Sequence, residues 1–370
     1  METSIDNKET HVKRVRVYEK IISDENLKEA IETVIRSHKW IHYPDRRNST
    51  TEKMEKELPE RIKELRRIIE EGFIPSPATA KRRWDANAGK WRDICEPRLW
   101  PDQCVHHALI QALEPVLMRG MDHWCCGSIK GRGAHYGVKA IKKWRKRGRE
   151  NWCLELDIRH FYESLDPKKV MERMRTLVKD RKTLDLVERV MKDGIQIGAY
   201  YSQWLANTFL QPLDQLIRTE ADKYIRYMDN FTIMTRRKKQ ADRIMKLVEA
   251  WLNTHGLELK GNKQKFRMSK RLPNALGYRF GKDYTLLRKR SLLRLKRQLR
   301  RYYKLREHGN VVPVKFAQGL LSRLGMLRHC NSVKLYARLV HRKTQKQLKD
   351  IIREEAKKWS TALVVSTSAA

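Results

Sequence analysis

The 370-residue sequence has no Cys-x-x-Cys pair and no apolar run long enough to cross a bilayer, and its first residues lack the pattern of a secretory signal. Its six cysteines, Cys95, Cys104, Cys125, Cys126, Cys153 and Cys330, lack the knuckle spacing of structural zinc sites. His106 and His107 near Cys104, and His123 near Cys125, leave a zinc site conceivable, but reduced thiols are the simpler expectation, with the two neighbouring histidines as surface or core residues. A spanning helix needs roughly 18 consecutive apolar residues, and none occurs. The opening Met-Glu-Thr-Ser-Ile-Asp carries neither a basic nor an apolar region, so a cytoplasmic protein without membrane attachment is expected. Acidic residues are also scarce: 44 Asp and Glu stand against 81 Lys and Arg, for a formal net charge of +37. That imbalance is foreign to an ordinary metabolic enzyme and points to a polyanionic partner, with nucleic acid favoured. No internal repeat is evident.

Two stretches concentrate the chemistry. Tyr224-Ile-Arg-Tyr-Met-Asp-Asn-Phe-Thr-Ile-Met reads as a β-hairpin with Asp229 and Asn230 at its tip. Cys153-Leu-Glu-Leu-Asp-Ile reads as a strand ending in Asp157, followed by Phe161-Tyr162. A single carboxylate at a turn is ordinary. Two, carried on adjacent strands, would make a hard-oxygen site for divalent ions suited to in-line phosphoryl transfer.

Around these stretches the sequence alternates helical and hairpin signals. Ser23 or Asp24 can cap a helix bearing Leu27, Ala30, Ile31, Val34 and Ile35 at helical spacing, after a leader expected to be poorly ordered. A polar break at 43–51 precedes a second helix from about Thr51 to Glu71. Lys81-Arg-Arg-Trp and Lys90-Trp-Arg-Asp-Ile flank a loop, Asp85-Ala-Asn-Ala-Gly89, as a basic aromatic hairpin. Its cations could reach a triphosphate, although Lys81, Arg82 and Arg83 read equally well as a solvated basic face. An apolar stripe runs from Asp102 to Leu117. Gly127-Ser-Ile-Lys-Gly-Arg-Gly lacks the Lys-Ser ending of a nucleoside-triphosphatase loop. Val138–Arg149 is basic and helical. An amphipathic helix is expected over Lys238–Gly256. From Leu286 to Arg306 there are ten Lys or Arg residues and no acid, a helix fit either for a membrane surface or for a duplex backbone. Two further helices, about Val314–Arg328 and Ser332–Trp359, precede a tail expected to be unstructured.

In order, Asp157-Ile-Arg-His-Phe-Tyr, Gly194 to Leu210 and Tyr227-Met-Asp-Asn resemble the successive palm motifs of reverse transcriptases, over about Glu25 to Trp359. The resemblance implies an α+β right-hand polymerase: an N-terminal leader and helical extension (1–71), fingers (72–150), palm (151–285), a basic helical thumb (286–360) and a tail (361–370). It implies Mg²⁺, two ions with Mn²⁺ as an alternative, held by Asp157, Ile158, Asp229 and Asn230. Lys263 matches a lysine that neutralises or protonates departing pyrophosphate. Lys90 and Arg92 match the fingers cations over the incoming dNTP. Tyr162 matches the ring that rejects a 2′-hydroxyl, a buried core aromatic being the plain alternative. Arg132, the Gly277-Tyr278 turn and Arg294, Arg297 and Arg301 match contacts to template RNA and cDNA or primer. A bland β-hairpin is the alternative for the segments holding Lys263 and Gly277.

Most reverse transcriptases carry Gln-Gly and Ser-Pro where this sequence has Ile197-Gly198 and Ser202-Gln203. That variant resembles the enzymes of diversity-generating retroelements, which copy RNA with frequent errors opposite adenine. An apolar Ile at a position that touches the nascent pair removes a contact worth ~1–3 kcal/mol of discrimination. Such an element implies a small helical accessory protein as partner. A phage-defence reverse transcriptase shares the same palm. Asn230 departs from the usual second aspartate, and lost catalysis would leave a basic RNA-binding scaffold.

Overall fold

The computed structural model describes residues 14–39, 49–85 and 90–367. The chain forms two compact units that interleave along the sequence. One holds the described residues up to Ser128, with Ile158–Thr219 and Lys246–Lys260; the other holds Ile129–Asp157, Glu220–Met245 and everything from Gly261.

The core of the first unit is a helix pair, Asp24–Lys39 and Cys104–Arg119. Leu27, Ala30, Ile31 and Val34 recur at helical spacing and are fully buried, as are Val105, Ala108, Leu109 and Leu113. Burial of this kind contributes roughly 1.5–3 kcal/mol for each large aliphatic side chain. Asn26 ties the pair, its amide donating to the carbonyls of Ile21 and Ala108 at 2.9 Å each. The leader differs from expectation over its described part. Tyr18–Ile21 is helical, Val15 bridges to Val178, and the Val17 N–H donates to Asp180 at 2.8 Å. Asp180 is thereby both the N-cap of Arg181–Val190 and the anchor of the incoming chain. The second predicted helix is two, Ser49–Lys56 and Leu58–Glu70, because Pro59 suits a first turn but not a helix interior. The expected polar break at 43–51 is helical over its described end, from Ser49, and its remainder, like residues 86–89 of the hairpin loop, lies outside the described residues.

The basic aromatic stretch forms an antiparallel hairpin, β1 (Thr79–Asp85) and β2 (Lys90–Glu96). Further helices of the unit include Pro167–Leu177, Arg181–Val190, Tyr200–Phe209 and most of Gln211–Glu220. Gln211 donates to the Leu117 carbonyl at 2.6 Å, and Asn207 to that of Gly127 at 2.9 Å. Both are buried amides whose polarity is met within the fold.

The second unit is built on a four-stranded antiparallel sheet. β3 (Trp152–Asp157), β4 (Lys223–Tyr227), β5 (Asn230–Thr235) and β6 (Gln264–Arg267) lie in the order β4-β5-β3-β6. A three-stranded sheet follows: β7 (Asn274–Ala275), β8 (Tyr278–Phe280) and β9 (Thr285–Leu287). Helices Ala134–Arg147 and Lys289–Glu307 match the two basic helices expected, shifted at their ends. The last predicted helix is interrupted: Val333–Leu339 and Thr344–Thr367 are separate. The longer one carries regular structure to Thr367, where an unstructured tail is expected. No helix among the described residues is long and apolar enough to cross a membrane. All six cysteines are free thiols.

His106 is 3 % exposed and its ring meets Tyr201 edge-on, while His107 stacks on Tyr200 at 3.9 Å. Burial pushes the His106 imidazole down to about 3 and that of His107 to about 4, each helped by a neighbouring histidine. In the unfolded chain both would bind protons near pH 6.5. The folded chain refuses them until far lower pH, so stability present above pH 6.5 is lost as pH falls from there toward 3. Melting temperature should therefore drop steeply between pH 6.5 and 4. The slope should flatten in His106→Asn, as read by circular dichroism; an unchanged slope would sink this account.

Candidate active site

The four-stranded sheet sorts its residues by strand periodicity. Leu154 and Leu156 of β3 pair with Ile233 and Phe231 of β5, and this apolar face is buried. The opposite face becomes polar toward one end, where Glu155 pairs with Thr232 and Asp157 with Asn230. Tyr227, the last residue of β4, also pairs with Asn230. Met228 and Asp229 are thus the whole loop of a two-residue hairpin, and Asp229 adjoins the residue directly across from Asp157. The two carboxylates read from sequence share one sheet end.

Met228 takes a φ of +55°, a left-handed conformation costing a bulky residue on the order of 1 kcal/mol or more. Two side chains brace the turn. The Asn230 amide donates to Asp229 Oδ1 at 2.8 Å, which an aspartate at 230 could not do while ionised. Arg226, fully buried, donates from Nη1 to the Met228 carbonyl at 3.1 Å. In strand register Arg226 pairs with Phe231, on the apolar face away from the carboxylates. A charge there is expensive unless hydrogen-bonded, and its link to the loop carbonyl is what its burial supports. Sequence reading overlooked Arg226 because an arginine in a β-strand ordinarily points to water; its place among Tyr224, Ile225 and Phe231 was the available signal.

Glu155 was likewise overlooked. It accepts from the Asn274 N–H at 2.5 Å and from Arg271 at 3.2 Å, and Asn274 in turn accepts from Arg288 at 2.7 Å. Burial pushes its carboxyl up, opposed by these donors. The network joins β3 to the three-stranded sheet.

Lys263 is exposed and immediately precedes β6, whose Gln264 pairs with Glu155. It therefore sits at the same sheet end as Asp157. The Leu276-Gly277 turn has φ values of +52° and +89°, the signature of a tight primed hairpin. Tyr278 is 1 % exposed and its hydroxyl donates to the Met326 carbonyl at 3.0 Å. The phenol is a core group, so only the turn backbone remains for a primer contact. Arg294, Arg297 and Arg301 follow one another at helical spacing, away from the buried Leu295, Leu299 and Tyr302. Arg301 also lies over the Phe316 ring at 5.2 Å. Arg132 closes a tight turn through its N–H to the Ile129 carbonyl at 3.0 Å.

The remaining candidates belong to the first unit. Arg92 pairs with Arg83 across the hairpin, and Lys90 opens β2. The outer edge of β2 is held by the motif segment: the Cys95 N–H donates to the Ile197 carbonyl at 2.7 Å, and Cys95 Sγ to Gln196 at 2.7 Å. Gly198 has a φ of +114°, and a Cβ there would meet the Cys95 carbonyl oxygen at 2.2 Å. Only glycine permits this approach. Arg92, Ile197 and Gly198 are thereby brought onto one small element. Ser202 is buried and Gln203 exposed in the helix Tyr200–Phe209. Tyr162 is half-buried in a single helical turn, Phe161–Ser164. Ile158 is fully buried and bridges to Leu259, leaving only its backbone for any ligand role.

Among the described residues no group of three His, Cys, Asp or Glu side chains could hold a metal ion. A site of two carboxylates and an amide oxygen suits Mg²⁺, which keeps several waters and shares its ligands with substrate phosphates. Removing the buried donor should expose how much the loop depends on it. Arg226→Leu is expected to lower unfolding stability by roughly 1–3 kcal/mol in urea titration. A loss under a few tenths would show that the loop holds itself.

Residues 79–280 match the family model described as reverse transcriptase (RNA-dependent DNA polymerase). The group II intron-encoded protein LtrA of Lactococcus lactis subsp. cremoris is 24% identical over 172 residues, covering 43% of this chain and 28% of LtrA. Protein YkfC of Escherichia coli (strain K12) is 23% identical over 147 residues, 35% of this chain and 38% of YkfC. The chain therefore spans well under half the length of these curated relatives. A telomerase structure from Candida albicans, in complex with a TWJ fragment of telomeric RNA, gives a TM-score of 0.44 at 13% identity, over 78% of this chain and 61% of that one.

Proposed function

This chain belongs to the reverse transcriptase family, and we propose that it is an RNA-directed DNA polymerase that copies a template RNA into cDNA. The observation that carries the proposal is the pairing of Asp157 with Asn230 beside Asp229, inside the matched segment. Asp157 and Asp229, from distant stretches of sequence, lie at the same end of the sheet, the end at which Lys263 precedes β6. Mg²⁺ carried in with the dNTP would supply charge neutralisation of the triphosphate and activation of the primer hydroxyl. Asp157 and Asp229 would hold it, with the Asn230 amide oxygen and the Ile158 carbonyl as further donors. Mn²⁺ would satisfy the same oxygens. The Asn230 amide orients Asp229 without adding a third negative charge. Lys263 stands where a cation would stabilise or protonate leaving pyrophosphate.

The other assignments rest on the motif resemblance. Lys90 and Arg92 engage the triphosphate, Tyr162 excludes the 2′-hydroxyl, and Gln203, Ile197 and Gly198 contact the nascent pair, with the buried Ser202 inside the same helix as Gln203. Template and primer follow Arg132, the Gly277 turn and the arginines of Lys289–Glu307. We further infer the diversity-generating type, because Ile197-Gly198 and Ser202-Gln203 replace the usual Gln-Gly and Ser-Pro. Error-prone copying and a small helical accessory protein come with that type. A catalytically silent RNA-binding scaffold is the reading Asn230 would favour.

Primer extension on an RNA template with Mg²⁺ and four dNTPs should give cDNA with wild type and at least a hundred-fold less with Asp229→Ala, the scale of losing an electrostatic element of the transition state. Wild type and variant equally inert on every template would leave the scaffold standing. For fidelity, Ile197→Gln should lower misincorporation opposite template adenine about ten-fold, in line with ~1.4 kcal/mol of restored discrimination. Sequencing of the cDNA reads this out, and an unaltered error spectrum would remove Ile197 from the account.

A further inference from the structure

The hairpin β1–β2 has two chemically different faces. Directly opposed residues of an antiparallel pair share a face, so Arg83 and Arg92 lie together on one, with Lys81 beside them. On this face Glu96 pairs with both Lys81 and Arg83. The other face presents Trp84 opposite Trp91, then Arg82 opposite Asp93. The two indoles meet edge-to-face with centroids 5.4 Å apart, and the Arg82 guanidinium lies over Trp91 at 5.6 Å. Trp84 remains 52% exposed and Trp91 54%.

A cross-strand aromatic pair stabilises a two-stranded sheet that has no third strand to lean on. That role explains one ring contact. It does not explain why more than half of each indole stays in water on a strand pair this basic, when smaller β-branched residues would hold the strands with less apolar exposure. We propose that Trp84 and Trp91 form a stacking platform for unpaired nucleic-acid bases, so that the hairpin grips single-stranded RNA in addition to meeting a triphosphate. The proposal rests on the polymerase reading above and deepens it by assigning the unpaired strand a place. Every base has a π-face, so stacking on indoles is tolerant of sequence, as a polymerase that must pass every template base requires. Arg82 supplies a cation on the same face, able to pair with a phosphate or to stack in its own right. The excess of cations over acids on the chain makes a polyanion the fitting occupant.

Fluorescence anisotropy with a labelled oligo(rU) of about 12 nucleotides, and with a blunt RNA–DNA duplex of equal length, tests this on the full chain. Trp84→Leu/Trp91→Leu should bind the single strand at least about ten-fold more weakly while staying within about two-fold of wild type on the duplex. Trp84→Phe/Trp91→Phe, which keeps two stacking rings, should retain most of the single-strand affinity. The difference should persist at raised salt, because stacking is not an ionic contact and leaves the salt slope unchanged. Equal single-strand affinity in the leucine variant and wild type overturns the platform. So does an equal loss on both substrates, or a phenylalanine variant as weak as the leucine one. Binding differences that persist in a protein unable to extend any primer would remove the polymerase reading and leave the platform in place.

Discussion

The pairing of β3 with β5 is the constraint on which the candidate chemistry depends. Strand side chains alternate with a period of two, so a slip of one residue would carry Asp157 to the opposite face from its partners. The register is held by burial, not by the carboxylates. Leu154 on Ile233 and Leu156 on Phe231 seal one face, and Cys153 on Met234 anchors the far end of the other. Apolar contacts thus fix where the polar residues fall. The acids can occupy a mutually repulsive arrangement at the sheet end because the rest of the ladder has already set their position.

The loop between β4 and β5 is held from two sides by groups of different character. Asn230 acts on the solvent side, directing its amide at the neighbouring carboxylate. Arg226 acts from beneath, reaching the loop carbonyl from the buried face. A second carboxylate at 230 would lack the donor and would add repulsion at a site already holding Asp157 and Asp229. The amide carries no charge, so this sheet end bears one anion fewer than it would with an aspartate at 230.

The two strands that carry the carboxylates were legible in the sequence because their signals are local: β-branched runs around Asp229 and a strand ending in Asp157. The helix breaks at Glu57 and after Leu339 were less so, since both lie in charged stretches whose helical propensity runs on past the break. Three residues show why pattern alone falls short. Tyr278 reads as part of a primer-contacting turn but its ring is buried and its hydroxyl held by Met326, Arg226 sits in a strand where an arginine ordinarily points to water but is enclosed, and Glu155 is tied to Arg271 and Asn274 across more than a hundred residues of chain. In each, burial is decided by tertiary neighbours that the local sequence does not encode.

The charge distribution links stability to occupancy. Arg83 faces Arg92 across the hairpin, and like charges opposed on one strand pair are destabilising. Glu96 offsets Lys81 and Arg83, yet both cations are largely exposed, which keeps each pair weak. The helix Lys289–Glu307 adds a stripe of arginines opposite its buried leucines. Self-repulsion of this kind cannot be relieved by packing, because a buried guanidinium costs more than an exposed one. It can be relieved by an anion. A ligand that binds only the folded chain stabilises it by mass action, so an anion bound to these faces would offset the self-repulsion of the free protein.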